Sequence, residues 1–198
     1  MKNRTNTIPA CAILIAITAV LQTLAALFPL KVFGLSISLV MIPIAVASIF
    51  FGFTGGISVG LAFGITVFIH CVIGLDPTGA MLFGINPFFT ALATILRGLL
   101  VGVITAAVFN ALKHLKNDIL KYVITAIIAP TANTTIFVLL FTLLFNDTLH
   151  DFASDAGQSV FSFLILSMVG VNFLVELFTT ALITPPICKA ITKYRRKQ

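Results

Sequence analysis

The chain is dominated by long apolar runs, each near or above the ~18 residues that a membrane-spanning helix requires. Only 9% of its 198 residues are charged, whereas about a quarter of the residues in a soluble domain are charged. The runs lack the polar/apolar alternation of a barrel strand, so helices are favoured. They are Ile8 to Phe28, Leu35 to Gly52, Gly55 to Leu75, Pro87 to Leu112, Ile119 to Phe145 and Val160 to Ile191. The sequence therefore predicts an all-α membrane protein, in which residues 1–198 form a single domain, a compact bundle of six transmembrane helices.

The basic residues predict how this bundle is oriented. Ten of the twelve Lys and Arg residues lie before the first helix, around the link between predicted helices 4 and 5, or near the C-terminus. All three places are on one side of the membrane, so the positive-inside rule makes both termini cytoplasmic. The formal net charge of +6 therefore reflects topology. The basic stretch from Lys193 to Lys197 favours contact with anionic lipid headgroups over nucleic acid.

Arg97 is the one cationic side chain deep inside an apolar run. A guanidinium stays protonated in proteins and costs roughly 3 kcal/mol at the centre of a membrane helix. It therefore needs a partner or a water-filled cavity. Two partners are compatible with the sequence: a bound ligand, or Glu176, the carboxylate at a similar depth.

Three polar residues are predicted to lie at one depth in the membrane. Counting 1.5 Å per residue from the outer helix ends puts Arg97, Asn133 and Asn172 each roughly 15 to 18 Å inside. Glu176 follows Asn172 by four residues, so the two share one face of helix 6. This set could hold a small molecule that carries a carboxylate and several hydroxyl or amide groups. The alternative is a polar clamp between helices.

Further candidate ligand contacts come from irregular positions. Pro130 predicts a kink in helix 5, where Thr131 could satisfy the freed carbonyl or contact a ligand. Asn86 stands before a proline and predicts the start of helix 4. The loop that precedes it, Leu75 to Ile85, carries a turn signal at its start. His70, near the outer face, is either a helix-packing residue or part of the pocket rim.

Two stripes of small residues predict close helix approach. They are Ala12, Ala16 and Ala19 in helix 1, and Gly56, Gly60 and Gly64 in helix 3. Such a stripe either packs the bundle or docks a partner. Because helix 1 is nearly free of strong polar groups before Gln22, its alanine stripe could be a docking face for another membrane protein.

Enzyme chemistry is disfavoured. Gly56-Ile57-Ser58-Val59-Gly60 matches G-x-S-x-G, but a nucleophile elbow needs a strand-turn-helix context, and this match lies in an apolar helix. No G-x-x-x-x-G-K-[ST], H-E-x-x-H or C-x-x-C occurs, so the sequence predicts neither nucleotide hydrolysis nor a metal site in this chain. The three cysteines are scattered and suggest no disulfide framework.

A set of short motifs runs along the whole chain. They are the basic N-terminus, Ala12-x-x-x-Ala16, the run Gly52 to Gly56 with Gly60 and Gly64, Asp76-Pro77-Thr78-Gly79, Asn86-Pro87, Leu96-Arg97-Gly98, Asn172 to Glu176, and Pro185. Taken together, these motifs resemble the substrate-binding S components of energy-coupling factor (ECF) vitamin transporters, and the resemblance covers essentially the whole chain.

The resemblance implies a function and partners. Such a protein captures a vitamin on the outer side of a bacterial plasma membrane and docks on a membrane-embedded coupling T component, with Ala12, Ala16 and the neighbouring Ala19 as the contact face. Two cytoplasmic ATPases of the ABC type drive the cycle, in which the S component topples to present its ligand to the cytoplasm. The chain itself is then no enzyme and binds no cofactor; ATP is used by its partner subunits.

The polar residues favour pantothenate as the substrate. In this hypothesis Arg97 pairs with the carboxylate, Asn133 and Asn172 take amide and hydroxyl groups, and Glu176 orients Arg97 or a hydroxyl. The loop Pro29 to Ser36, with Lys31 and Phe33, would form the outer gate. S components for nickel or cobalt resemble one another in an N-terminal histidine site, and Met1 to Asn6 contains no histidine, so the resemblance disfavours a metal substrate. Folate, a cobalamin or another vitamin stay as alternatives, as do a self-sufficient secondary transporter and an intramembrane enzyme.

Overall fold

The computed structural model describes residues 7–27, 31–32, 35–36 and 39–195. It is helical apart from one short antiparallel hairpin, in which Lys31 pairs with Ser36. The elements are α1 (Thr7–Leu27), β1 (Lys31–Val32), β2 (Leu35–Ser36), α2 (Met41–Ile73), α3 (Pro77–Ile85), α4 (Pro87–Ala91), α5 (Arg97–Ala111), α6 (Asp118–Leu144), α7 (Asn146–Asp155), α8 (Val160–Ser162) and α9 (Gly170–Arg195). A π-helical turn, Leu92–Leu96, joins α4 to α5, and a second, Phe163–Val169, precedes α9.

Five helical stretches in the described part of the chain are long and apolar enough to cross a membrane. They are Ile8–Leu27, Met41–Ile73, Pro87–His114, Asp118–Leu144 and Asn172–Arg195. The predicted count of six is not confirmed, because predicted helices 2 and 3 run together as α2. The chain turns within α2 at Gly52, whose φ of 62° and ψ of −142° suit glycine. The arm before this turn, residues 41–51, is only about 16 Å long.

That short first arm of α2 lies at the centre of the bundle. Every residue from Met41 to Ile49 is buried, and Met41, Ile44 and Ala45 belong to the main hydrophobic core. By contrast, Cys11 and Thr18 are the buried residues of α1 between residues 8 and 27. The apolar pattern of the two segments is similar, so this difference in burial comes from their place in the bundle.

The most extensive helix contact joins α2 to α5, and it is made by glycines. A Cβ atom on Gly60 would collide with the carbonyl oxygen of Gly98, one on Gly98 with that of Gly60, and one on Gly102 with that of Gly56. We call this contact the glycine seam. It confirms that the stripe Gly56, Gly60 and Gly64 lets another backbone approach closely.

The segment predicted as an outer loop is instead largely helical. Asp76 is the N-cap of α3, where its Oδ1 accepts a hydrogen bond from the Gly79 amide at 3.2 Å, and Pro77 occupies the first turn. The same residues suit a turn and a helix start alike, which explains the difference. The predicted start of helix 4 is confirmed: Asn86 Oδ1 accepts from the Phe89 amide at 3.1 Å.

Candidate functional site

Arg97 is placed by two features of its own helix. The π-helical turn Leu92–Leu96 ends immediately before it, and such turns are frequent at functional sites. Gly98, immediately after it, lies in the glycine seam and holds this level of α5 against α2. As a result the guanidinium lies over the rings of Phe63 from α2, at 5.3 Å, and Phe137 from α6, at 5.2 Å.

The charge of Arg97 is only partly compensated by these contacts. Its Nε is buried and has no hydrogen-bond partner among the described residues. Glu176, which is 6% exposed, and Asp76 line the same cavity as Arg97. Both expected kinds of partner, a protein carboxylate and an open cavity, therefore lie beside the guanidinium.

Arg97 borders a cavity with three adjoining lobes, which also share Asn172. The aromatic lobe, about 640 Å³, is lined by Phe137, Phe141, Phe152 and Phe163. The polar lobe, about 460 Å³, is lined by His70, Asp76, Asn133 and Glu176. The smallest, about 160 Å³, lies between α6 and α9 beside Asn133, Thr134 and Glu176. The structure thus brings together Arg97, Asn133 and Asn172, which were predicted at one membrane depth, and Glu176, which was predicted on the same helix face as Asn172.

The two asparagines present amide groups to this cavity. Asn133 is half-buried, and its Oδ1 is buried without a hydrogen-bond partner among the described residues. Asn172 is exposed to the cavity and lies in the first turn of α9, two residues after Gly170, where φ is 39°. An amide can donate and accept, so this wall can recognise hydroxyl, amide or carbonyl groups.

His70 and α1 close another side of the polar lobe. His70 is 3% exposed, and its Nε2 lies 3.2 Å from Thr23 Oγ1 of α1. Its Nδ1 has no hydrogen-bond partner in the described part of the chain. Since Gln22, Ala25 and Ala26 also border this lobe, the helix with the alanine stripe contributes directly to the cavity wall.

Two predicted contacts are engaged away from this cavity. Asn86 caps α4. Thr131 Oγ1 donates to the Ile127 carbonyl at 2.8 Å within α6, which continues through Pro130. Of the predicted gate, Phe33 lies outside the described residues, and the backbone of Lys31 forms part of β1. The partner strand β2 lies beside α9, the helix that carries Asn172 and Glu176.

The comparison with protein families identifies the protein class. The family model for the ECF transporter substrate-specific component matches residues 7–188. The chain belongs to this family. Neither the curated proteins nor the solved structures that were compared give a match. The protein is therefore a multi-pass membrane transporter subunit and not an enzyme, and its family implies a T component, ATPase partners and a small-molecule substrate.

The alanine stripe of this S component faces outward. Ala12 and Ala16 are exposed and Ala19 is half-buried. Beside them are exposed apolar side chains, among them Ile13 at 61% and Val20 at 57%. This face of α1 is thus available to lipid or to another membrane protein.

Sequence reasoning missed the aromatic side of the S component's cavity. Phe137 and Phe141 on α6 and Phe145, the residue that follows this helix, repeat at four-residue spacing, and adjacent ring centroids are 5.8 Å apart. That spacing is visible in the sequence and places the rings on one face of a helix. What it does not reveal is that Phe152 and Phe163 meet the same cavity from α7 and the second π-helical turn. Among the described residues, no three His, Cys, Asp or Glu side chains are grouped to hold a metal.

Proposed function

We propose that this protein is the high-affinity vitamin-binding S component of an ECF importer, and that its substrate is pantothenate. One observation carries the proposal: Arg97, within a membrane-spanning helix, lies against two phenyl rings and lines the cavity, and its buried Nε has no hydrogen-bond partner among the described residues. Cation–π contact stabilises the charge without using the N–H donors. These donors can therefore bind a carboxylate.

The surrounding residues fit the rest of such a ligand. Asn133 and Asn172 offer donors and acceptors to an amide and to hydroxyl groups, and Glu176 can accept from a hydroxyl or orient Arg97. Apolar carbon of the ligand would enter the aromatic lobe. Tight binding needs this combination of a mainly apolar cavity and a few convergent polar groups.

The aromatic lobe also supports a second candidate, folate. Folate joins carboxylates to a fused aromatic ring, and four phenylalanines line a lobe of about 640 Å³ next to Arg97. Offset or edge-on ring contacts would stabilise such a ring. Pantothenate uses mainly the polar lobe, whereas folate would need both lobes.

In the proposed cycle, both termini are cytoplasmic and the cavity opens outward in a bacterial plasma membrane. The exposed stripe Ala12 and Ala16 would dock on the T component, and ATP would be hydrolysed by the two ATPase subunits. Because α1 also borders the polar lobe, the helix that docks would be in contact with the helices that hold the ligand.

Calorimetry of the detergent-purified chain against a vitamin panel tests the proposal. We expect one-to-one binding of pantothenate, and no heat from a pantothenate analogue in which the carboxylate is replaced by an amide. Tight binding of folate alone would assign the second candidate. Substrate uptake by the chain alone in proteoliposomes, without ATP or partners, would instead show a self-sufficient transporter.

A further inference from the structure

A separate cavity lies between the start of α6 and the end of α9. Its volume is about 550 Å³, and it is remote from Arg97 in sequence and shares no lining residue with the ligand cavity. The residues that line it are Lys116, Asn117, Asp118, Ile119, Tyr122, Lys189, Thr192 and Lys193. We call it the lysine cavity.

Three lysines give this cavity a positive charge. No hydrogen bond or ion pair joins Lys116, Lys189 or Lys193 to another residue that the structure describes. The carboxylate in the wall, Asp118, forms an ion pair of 2.7 Å with Lys121. Lys189 and Lys193 are four residues apart on α9, a spacing at which like charges repel. An anion between them would relieve this repulsion.

Hydrogen bonds hold the side chains in the wall of the lysine cavity in place. Tyr122 is 7% exposed, and its hydroxyl lies 3.0 Å from Thr192 Oγ1. Since Thr192 donates to the Cys188 carbonyl at 2.8 Å, Tyr122 is the donor in this pair. The amides of Ile119 and Leu120, in the first turn of α6, donate to Asn117 Oδ1 at 3.0 and 3.2 Å. The lysines, and not these capped amides, therefore supply the attraction.

The lysine cavity lies where two membrane spans end. The span Asp118–Leu144 begins at it and the span Asn172–Arg195 ends at it, which puts the cavity at the membrane surface. Apolar side chains continue from it toward the membrane interior. Ile119 is 48% exposed, and Leu182, two turns before Lys189 on the same face, is 77% exposed. A charged group in the cavity could thus be attached to acyl chains that lie along α6 and α9.

We propose that the lysine cavity binds the phosphate of an anionic phospholipid headgroup. Basic cavities between membrane helices at the lipid surface suit such headgroups, and an ammonium group binds phosphate as a point charge. The site does not depend on the identity of the vitamin. A lipid bound there would anchor the start of α6 and the end of α9. Both helices also line the ligand cavity, through Asn133 on α6 and through Asn172 and Glu176 on α9.

Thermophoresis of the full chain in detergent tests this site. The probes are dihexanoyl phosphatidylglycerol, dihexanoyl phosphatidylcholine and inorganic phosphate. The variants Lys116→Gln, Lys189→Gln and Lys193→Gln are compared with Lys113→Gln, which removes the same charge from the neighbouring link. We expect each cavity variant to weaken phosphatidylglycerol binding about five-fold, since one lysine near an anionic surface contributes about 1 kcal/mol, and Lys113→Gln to change it less than two-fold.

Four results would overturn the proposal. Equal binding of phosphatidylcholine and phosphatidylglycerol, or equal behaviour of all four variants, would show that the lysine cavity does not recognise an anionic headgroup. Inorganic phosphate binding as tightly as phosphatidylglycerol would assign the cavity to free phosphate. Normal lipid binding by the cavity variants together with lost co-purification of the ATPase subunits would make it a protein-docking surface. The lysines are exposed, so all four variants should fold.

Discussion

The glycine stripe of α2 and the alanine stripe of α1 have the same spacing and opposite surroundings. Gly56 and Gly60 are covered by α5 and Gly64 by the π-helical turn before it, so closely that no Cβ fits. Ala12 and Ala16 are exposed on the outside of the bundle. Small residues at this spacing permit close approach in both places. Only the structure shows that the glycine stripe is packed against another helix of the same chain. The alanine stripe is left for lipid or a partner.

The largest effect is expected from filling the glycine seam. Gly98→Ala places a Cβ against the carbonyl oxygen of Gly60, which is backbone and cannot rotate away. Overpacking of this kind costs about 1 to 3 kcal/mol. We expect a lower thermal unfolding temperature in detergent and weaker ligand binding. The matched control is Gly84→Ala, because no atom lies within 4 Å of that Cβ position; equal destabilisation by both changes would disprove the role of the seam.

Filling the alanine stripe should abolish function and leave the fold intact. In the double variant Ala12→Leu/Ala16→Leu the new side chains extend outward from α1, so the unfolding temperature and the vitamin affinity should stay unchanged. Uptake by the reconstituted transporter should be lost because the T component can no longer approach. Ala111→Leu, at an exposed position of α5, is the control. Loss of binding together with uptake would mean that the alanines serve only to pack the bundle.

A change at Arg97 tests ligand binding separately from the packing of the glycine and alanine stripes, because this residue lies next to the glycine seam but lines the cavity. We expect Arg97→Gln to weaken vitamin binding by more than ten-fold, or ~1.4 kcal/mol. The unfolding temperature should not fall, since the change removes a charge that is expensive in the membrane. Calorimetry and thermal unfolding on one preparation measure both quantities. An unchanged affinity would assign Arg97 to a structural pair with Glu176.

A smaller effect is expected from the ring beside Arg97. Phe137→Leu keeps an apolar side chain and removes a cation–π contact of 5.2 Å. Such contacts contribute about 0.5 to 2 kcal/mol, so binding should weaken by a few-fold to about thirty-fold. Phe88→Leu, at a ring that is 69% exposed, should leave affinity unchanged. If both variants bind alike, the ring is not needed to hold the guanidinium.

The features that could be predicted are those whose free-energy cost can be read from a short stretch of sequence. The apolar runs required helices because lipid offers no partners for backbone groups. The cost of a buried guanidinium singled out Arg97, and counting residues along helices was enough to place Asn133, Asn172 and Glu176 around the same cavity.

The rest depended on backbone geometry that hydropathy does not record. The apolar runs predicted a break after Gly52, and the structure has a non-helical residue there, but hydropathy does not show how the two parts of α2 continue from it. Asp76 and Pro77 satisfy the rules for a turn and for a helix start, and tertiary packing chose the helix. The aromatic lobe unites α6 with residues far along the chain, a contact that no local pattern specifies.

The π-helical turn Leu92–Leu96 also constrains how this chain can change in length. It lies between two fixed points, the cap Asn86 at one end and the seam residue Gly98 at the other. A π-helical turn holds one more residue than a turn of α-helix, so one residue can be removed there with little change in the direction of the helix that follows. Elsewhere between Asn86 and Gly98, removing one residue would rotate everything after it by about 100°, and the guanidinium of Arg97 would leave the cavity or Gly98 would leave the seam. Leu92–Leu96 is therefore the part of this span where a one-residue deletion is tolerated best.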